Sequence, residues 1–309
     1  MTYPKLHHYV PRFYLNYFVG SNKKLYVYDK VMNRKFNVAP NKIAAETHFY
    51  RLPESWSEFT DPLIIEKNLS QLEANSSRII EKIKNEIDNS EIDRKLSISQ
   101  NEKLILSEFI ATQYFRTLEL RELLMYFLKD EELIEDNLSD DEKKSIQFHI
   151  LAESEILEKL EESIYNSIWI FAKNVSHNPL ITSDHPICMK TKNNKMWIKG
   201  IEPLIDGSYI VFPITPKLIL YCKEFNYWSM LKDFDLSISP IQLDADMVDH
   251  ENSGQAFMSS RFLFSPQNEF YEIQEFISSI GTNKYAIEKN EDALKAIERT
   301  KLYINRQKN

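Results

Sequence analysis

Ser167-Ile168-Trp169-Ile170-Phe171-Ala172 marks the point where the chain changes texture. Before it, apolar residues recur every three or four positions over long stretches. After it, they come in short runs bounded by Pro, Asn, Asp and Gly. The first pattern belongs to helices that bury one stripe, the second to short strands. Together they predict an α+β fold with long antiparallel helices in the middle.

Upstream of this point, Ile65, Leu69, Leu72, Ile79, Ile83 and Ile87 keep helical spacing between Asp61 and Asp88. Ser99 with Glu102, and Ser139 with Glu142, form capping boxes, in which each serine and glutamate satisfies the other's orphan backbone N–H. They predict helices over 99–132 and 139–165. Three helices of roughly 25 to 30 residues pack as an antiparallel bundle. Further upstream, Pro11 is expected at a first helical position and Gly20 at a left-handed helix stop. A hairpin is expected across Met32-Asn33-Arg34, then a short helix over 40–46 and a strand over 48–52.

Downstream, the apolar runs at 180–182, 187–189, 209–212 and 218–222 predict a small, mostly antiparallel sheet. A helix near 244–259, a strand at 261–264 and a helical C-terminus follow. Residues 1–309 read as one large domain with three sub-regions: a basic lobe of strands and short helices at 1–56, an acidic helical bundle at 57–166, and a strand-rich lobe with C-terminal helices at 167–309. The N-terminal and C-terminal segments supply the sheets.

The net charge of −8 is unevenly spread. Residues 1–51 carry nine Lys/Arg against two Asp/Glu, whereas residues 52–166 carry 13 against 27. Either the basic start docks on the acidic helices, or it attracts a phosphate-bearing ligand. The overall acidity excludes extended duplex binding, which needs many phosphate contacts. No stretch approaches the roughly 18 to 20 apolar residues of a membrane span. The opening residues lack the apolar core of a signal peptide. Cys188 and Cys222 are the only cysteines, too few for a disulfide framework or a four-cysteine zinc site, which points to the cytoplasm. The five glycines, Gly20, Gly200, Gly207, Gly254 and Gly281, are too scattered for a phosphate-cradling loop or a nucleophile elbow.

The residues that carry chemistry are few. His7 and His8 point to opposite faces if extended, so one of them can act as a base or ligand while the other packs. Glu46 and His48 share a face if that segment is a strand, setting acid beside imidazole as metal ligands. The alternative for both clusters is a structural polar contact. Arg116 and Arg121 interrupt a helix that is apolar nearly all round. A buried arginine must pair or face a cavity, so either Arg116 bridges to Glu73 or Glu66, or the pair clamps an anion. Asp184 sits where a strand runs into the turn fixed by Pro186; it binds a metal, orients a histidine or shapes that turn. Asp246, Asp249, His250 and Glu251 are expected on a solvated helix face.

His7-His8-Tyr9-Val10-Pro11 with Tyr14-Leu15 and Phe18, then Leu25-Tyr26-Val27-Tyr28-Asp29, Ala44-Ala45-Glu46 before Phe49-Tyr50, and Thr182-Ser183-Asp184-His185-Pro186 carry a family likeness. The chain resembles a widespread bacterial family known only as a domain of unknown function. His185 departs from the Asn common at its position in similar members. The resemblance implies positions and a bacterial origin, with no mechanism attached.

The residues point to a hydrolase, metal-assisted or His-dependent, acting on a phosphate-bearing small molecule or single-stranded nucleic acid. His7 or His8 is the expected base or ligand, Glu46, His48 and Asp184 the expected ligands of a divalent metal, and Arg116 and Arg121 the expected stabilisers of phosphate charge. The alternative is a non-catalytic binding or regulatory module in a bacterial defence or stress locus, whose polar cluster braces the strand-rich ends against the bundle.

Overall fold

The structure is a computed structural model that describes residues 6–52, 61–135, 137–153, 155–193, 197–280, 295, 297–299 and 302. The chain opens with a short strand, β1 (Leu6–His8), and one helical turn, α1 (Arg12–Leu15), which tightens into a 3-10 turn at Asn16–Phe18. Pro11 is the N-cap of α1, one position ahead of the expected place. The hairpin forms as expected, from β2 (Leu25–Asp29) and β3 (Arg34–Val38), with Asn33 at φ +46° in its turn.

The next segment differs from the sequence reading. Only Pro40–Lys42 makes a helical turn, and the strand is β4 (Ala45–Thr47), so 48–52 is not one. Ala44 at φ +53° and His48 at φ +58° bracket β4 and stop it on both sides. Gly20 is not a left-handed stop either. Its backbone is close-packed, and a Cβ there would sit 2.6 Å from the carbonyl of Pro266, so glycine serves close approach rather than a positive φ.

The helical middle begins with α2 (Ile64–Asp88), which buries Ile65, Leu69, Leu72, Ile79, Ile83 and Ile87 as the spacing predicts. Both capping boxes are present, at Ser99–Glu102 and Ser139–Glu142. The helix opened by Ser99 stops early, however. It divides into α3 (Gln100–Phe115) and α4 (Leu118–Asp130), because Thr117 turns extended and its hydroxyl caps the N–H of Leu120. The helix after Ser139 runs as α5 (Asp140–Glu153) and α6 (Glu155–Tyr165), either side of residue 154. No helix among the described residues is long and apolar enough to cross a membrane.

Past Tyr165 come β5 (Ile168–Lys173), β6 (Thr182–Ser183), β7 (Cys188–Lys190), β8 (Trp197–Ile198), β9 (Tyr209–Thr215), β10 (Leu218–Lys223) and β11 (Ser237–Ile238). They are followed by α7 (Ala245–Met258), β12 (Phe262–Ser265) and α8 (Tyr271–Ile280). Most of the expected helical C-terminus beyond residue 280 lies outside the described residues.

The described strands form three sheets: β1-β4; β11-β5-β10-β9-β7-β8; and β3-β2-β12-β6. Pairing is antiparallel throughout except where β11 joins β5. This makes the fold α+β with small, mostly antiparallel sheets. The third sheet joins strands from both ends of the chain, as Asp29 and Arg261 make plain: the guanidinium donates to both carboxylate oxygens, at 3.1 and 2.9 Å, across 232 positions. A contiguous apolar core runs from Tyr9 through the helices and sheets to Ile297. Fully buried Trp169, Tyr14, Phe109 and Phe171 are among its largest members. Burial of such rings, at about 1.5–3 kcal/mol each, holds the lobes on the helices.

Candidate functional site

The β1-β4 ladder sets His7 opposite Glu46 and His8 opposite Ala45. Strand alternation then sends the two imidazoles to opposite faces. His7 is wholly buried. It stacks on Tyr50 with centroids 6.0 Å apart and meets His48 edge-on at 6.2 Å. Its Nδ1 accepts the backbone N–H of Tyr50 at 2.9 Å, and Oε2 of Glu66 lies 3.9 Å from the same nitrogen. A nitrogen that accepts an N–H holds no proton of its own, so His7 carries its proton on Nε2 and is neutral. His8 faces Arg12 and Arg116. Burial, reinforced by Arg12, lowers it to about 4, so it too is neutral near pH 7.

Beneath the ladder lies the break between α3 and α4. Arg116 ends α3, with Nε donating to Gln113 at 2.7 Å and Nη1 donating to Glu73 at 2.8 Å. This is the ion pair with Glu73 that the sequence offered as one alternative. Gln113 in turn donates to the carbonyl of Tyr9 at 2.9 Å. Arg121, in the first turn of α4, donates Nε to Gln147 at 2.8 Å and lies 4.2 Å over the ring of Phe49. Gln147 ties the break together by donating to the carbonyls of Phe115 and Thr117.

Both guanidinium groups are more than nine-tenths buried, yet Nη2 of each has no hydrogen-bond partner among the described residues. They flank Tyr50, whose hydroxyl feels Arg116, Glu73, Glu66 and Arg121. Arg121 also feels Glu46. Burial, with Glu73 second, lifts Glu66 to about 7. Glu46, His48, Glu66 and Glu73 are only half-buried, so the cluster opens to solvent on their side.

Asp184 is placed differently. Its carboxylate accepts the backbone N–H groups of Ser260, Arg261 and Phe262 at 2.7 to 2.9 Å and the Ser260 hydroxyl at 3.1 Å. It therefore anchors the start of β12 and does not shape its own turn. Burial raises its pKa, and the N–H of Phe262 opposes that rise. Ser183 shapes the turn, its hydroxyl accepting from His185 N at 3.1 Å. His185 is buried against Tyr114, hydrogen-bonded to Thr117, and held down to about 3 by burial and then by Lys199.

The structure thus gathers His7, His48, Glu46, Arg116 and Arg121 around Tyr50, while Asp184 is occupied at β12. Among the described residues no three His, Cys, Asp or Glu are grouped as metal ligands would be, and Glu46, His48 and Asp184 do not form such a set. Glu66 joins the cluster although the sequence offered it only as an ion-pair partner. Glu251 departs from the solvated face expected of it. It is buried, with both oxygens 2.7 Å from Nζ of the buried Lys190.

Residues 6–269 match a family described as a protein of unknown function (DUF4238). The chain belongs to that family. The match takes in both the strand ladder with His7 and Glu46 and the turn with Asp184, so the cluster of this DUF4238 chain lies wholly within the family's span. No curated protein and no solved structure matches it.

Proposed function

We propose that this chain binds a phosphate-bearing small molecule where the β1-β4 ladder meets the α3–α4 break, and hydrolyses it there. The observation that carries the reading is the pair of buried guanidinium Nη2 atoms left without a partner. A buried N–H of a charged group that meets no acceptor costs free energy, and phosphate oxygens match the guanidinium fork. Such donors would neutralise charge that develops on a phosphoryl group.

Glu66 suits the proton transfer. A carboxyl near 7 is divided between acid and base at neutral pH, which is where general catalysis is most effective. His7, neutral and fixed in one tautomer, orients the group beside it. In this scheme water attacks phosphorus as the P–O bond to the leaving alcohol breaks, Glu66 takes a proton from the water and returns it to the leaving oxygen, and Arg116 and Arg121 hold the phosphate.

The test is calorimetric titration of inorganic phosphate and nucleoside monophosphates into the full chain, with turnover of p-nitrophenyl phosphate followed with added divalent metal and with chelator. Binding is expected to weaken about tenfold or more in Arg121→Lys, and Glu66→Gln is expected to bind but not turn over. Absence of phosphate and nucleotide binding by the folded protein would remove the reading.

Asp184 favours a second reading, a non-catalytic module whose polar residues hold the lobes together. On that reading His8→Ala and Asp184→Ala lower the melting temperature together and leave any ligand binding intact.

A further inference from the structure

A second cavity lies on the six-stranded sheet, lined by none of the residues gathered around Tyr50. Tyr221 stands opposite Ile170 and Val211, and Lys223 opposite Tyr209. Ile170, Ala172, Tyr209, Tyr221 and Lys223 floor one face of the sheet. Leu231 and Phe234 of the 3-10 turn Ser229–Phe234, the 239–243 segment and the first half of α7 wall a cavity of about 580 Å³ over that floor. This volume is in the range of small-molecule sites, and the walls are largely apolar. Ile241 and Met247 stand exposed at the rim, 64% and 41% accessible.

The charges in the floor do not balance. Both oxygens of Glu251 are taken by Lys190, and one also accepts the Tyr221 hydroxyl at 3.2 Å. Nζ of Lys223 makes no hydrogen bond or ion pair to an oxygen among the described residues. Its Nζ lies 3.7 Å from the ring centre of Tyr209 and 4.1 Å from that of Trp228. Ring faces hold a cation but accept its three N–H groups poorly. Two ammonium groups thus face one carboxylate in an apolar setting, with Asp246 out at the exposed rim. Burial, partly opposed by Glu251, holds Lys223 down to about 8.

We propose that this cavity binds an aliphatic carboxylate, a medium-chain fatty acid, whose head group pairs with Nζ of Lys223 while its chain lies along Ile170, Ala172, Leu231 and Phe234. The carboxylate supplies the missing negative charge and the acceptors that the rings cannot. The tail replaces water on an apolar wall, which is favourable in proportion to the area covered. An aliphatic amine would add a third cation and is disfavoured, and an alcohol brings the tail without the charge. The site shares no residue with the His7 and Arg116 cluster, so it stands or falls separately.

The experiment titrates sodium dodecanoate, dodecanol and dodecylamine, each below its micelle concentration, into the full chain while tryptophan fluorescence is read. Trp228 beside Lys223 is the reporter. Dodecanoate is expected to bind about tenfold or more tighter than dodecanol. Lys223→Met is expected to erase that preference while keeping dodecanol binding, and Lys223→Arg to restore it. Met247→Trp at the rim is expected to block both ligands, which keeps the test decisive should Lys223→Met fail to fold. Equal binding of acid and alcohol to the wild-type chain, no binding of dodecanoate, a preference that survives Lys223→Met, or undiminished binding by Met247→Trp would each overturn the proposal.

Discussion

Tyr50 donates its backbone N–H to Nδ1 of His7 at 2.9 Å, and the two rings lie within 12° of parallel. This one contact decides the protonation of the most buried imidazole in the cluster. Nitrogen-detected NMR of the imidazoles is expected to show His7 with Nδ1 bare and Nε2 protonated between pH 6 and 8. His7→Ala would leave the Tyr50 N–H buried without an acceptor, at a cost of about 1–3 kcal/mol in urea denaturation.

Glu66 gives a pH dependence of defined sign. Its folded value, about 7, lies above its ordinary 4.5 because burial and then Glu73 disfavour the charged form. A raised value means that the stability it contributes is fully present below about pH 4.5 and is lost as pH rises through about 7. Glu66→Gln mimics the protonated group. Its urea midpoint is expected to exceed that of the wild type at pH 8, and the two are expected to converge toward pH 5.

Asp184 is expected to be the most destabilising of the polar positions. Asp184→Ala strips the acceptor from three backbone N–H groups and one hydroxyl, at a cost of about 3 kcal/mol or more. Asp184→Asn keeps one acceptor oxygen and is expected to cost less. The loss should appear as a lower melting temperature with early exchange of the amide of Phe262, since β12 begins there.

Gly254 lies in α7 against the Trp197 ring, where a Cβ would fall 2.4 Å from ring carbons. That ring also donates to the Ser253 hydroxyl at 3.0 Å and lies 4.3 Å from Nζ of Lys190. Gly254→Ala is expected to displace it at about 1–3 kcal/mol, with a changed near-ultraviolet circular dichroism signal.

The parts of the fold that were legible in the sequence depend on local chemistry. The serine–glutamate caps, the apolar spacing of α2 and the β2–β3 hairpin each involve residues a few positions apart. The break at Thr117 was hidden because neither Gly nor Pro marks it. Its causes are one threonine hydroxyl and a distant Gln147. Arg116 and Arg121 were legible as interruptions of an apolar helix, and Glu73 as a partner. Asp184 misled because its neighbours in sequence are not its partners: those lie 76 to 78 positions on. Lys223 gave no signal, since a lysine at a strand end looks solvated until the rings of Tyr209 and Trp228 close on it.

The pairing of β2 with β12 sets a timetable for biogenesis. During synthesis the first hairpin leaves the ribosome with the free side of β2 exposed, because its partner strand has not yet been made. At ordinary elongation rates the intervening stretch takes on the order of 10 to 50 s to translate. Throughout that interval a bare strand edge with Tyr26, Val27 and Tyr28 on offer is open to pairing with the wrong chain. Until Phe262 to Ser265 arrive, β2 and β3 stand as a two-stranded hairpin, which is marginally stable by itself in water.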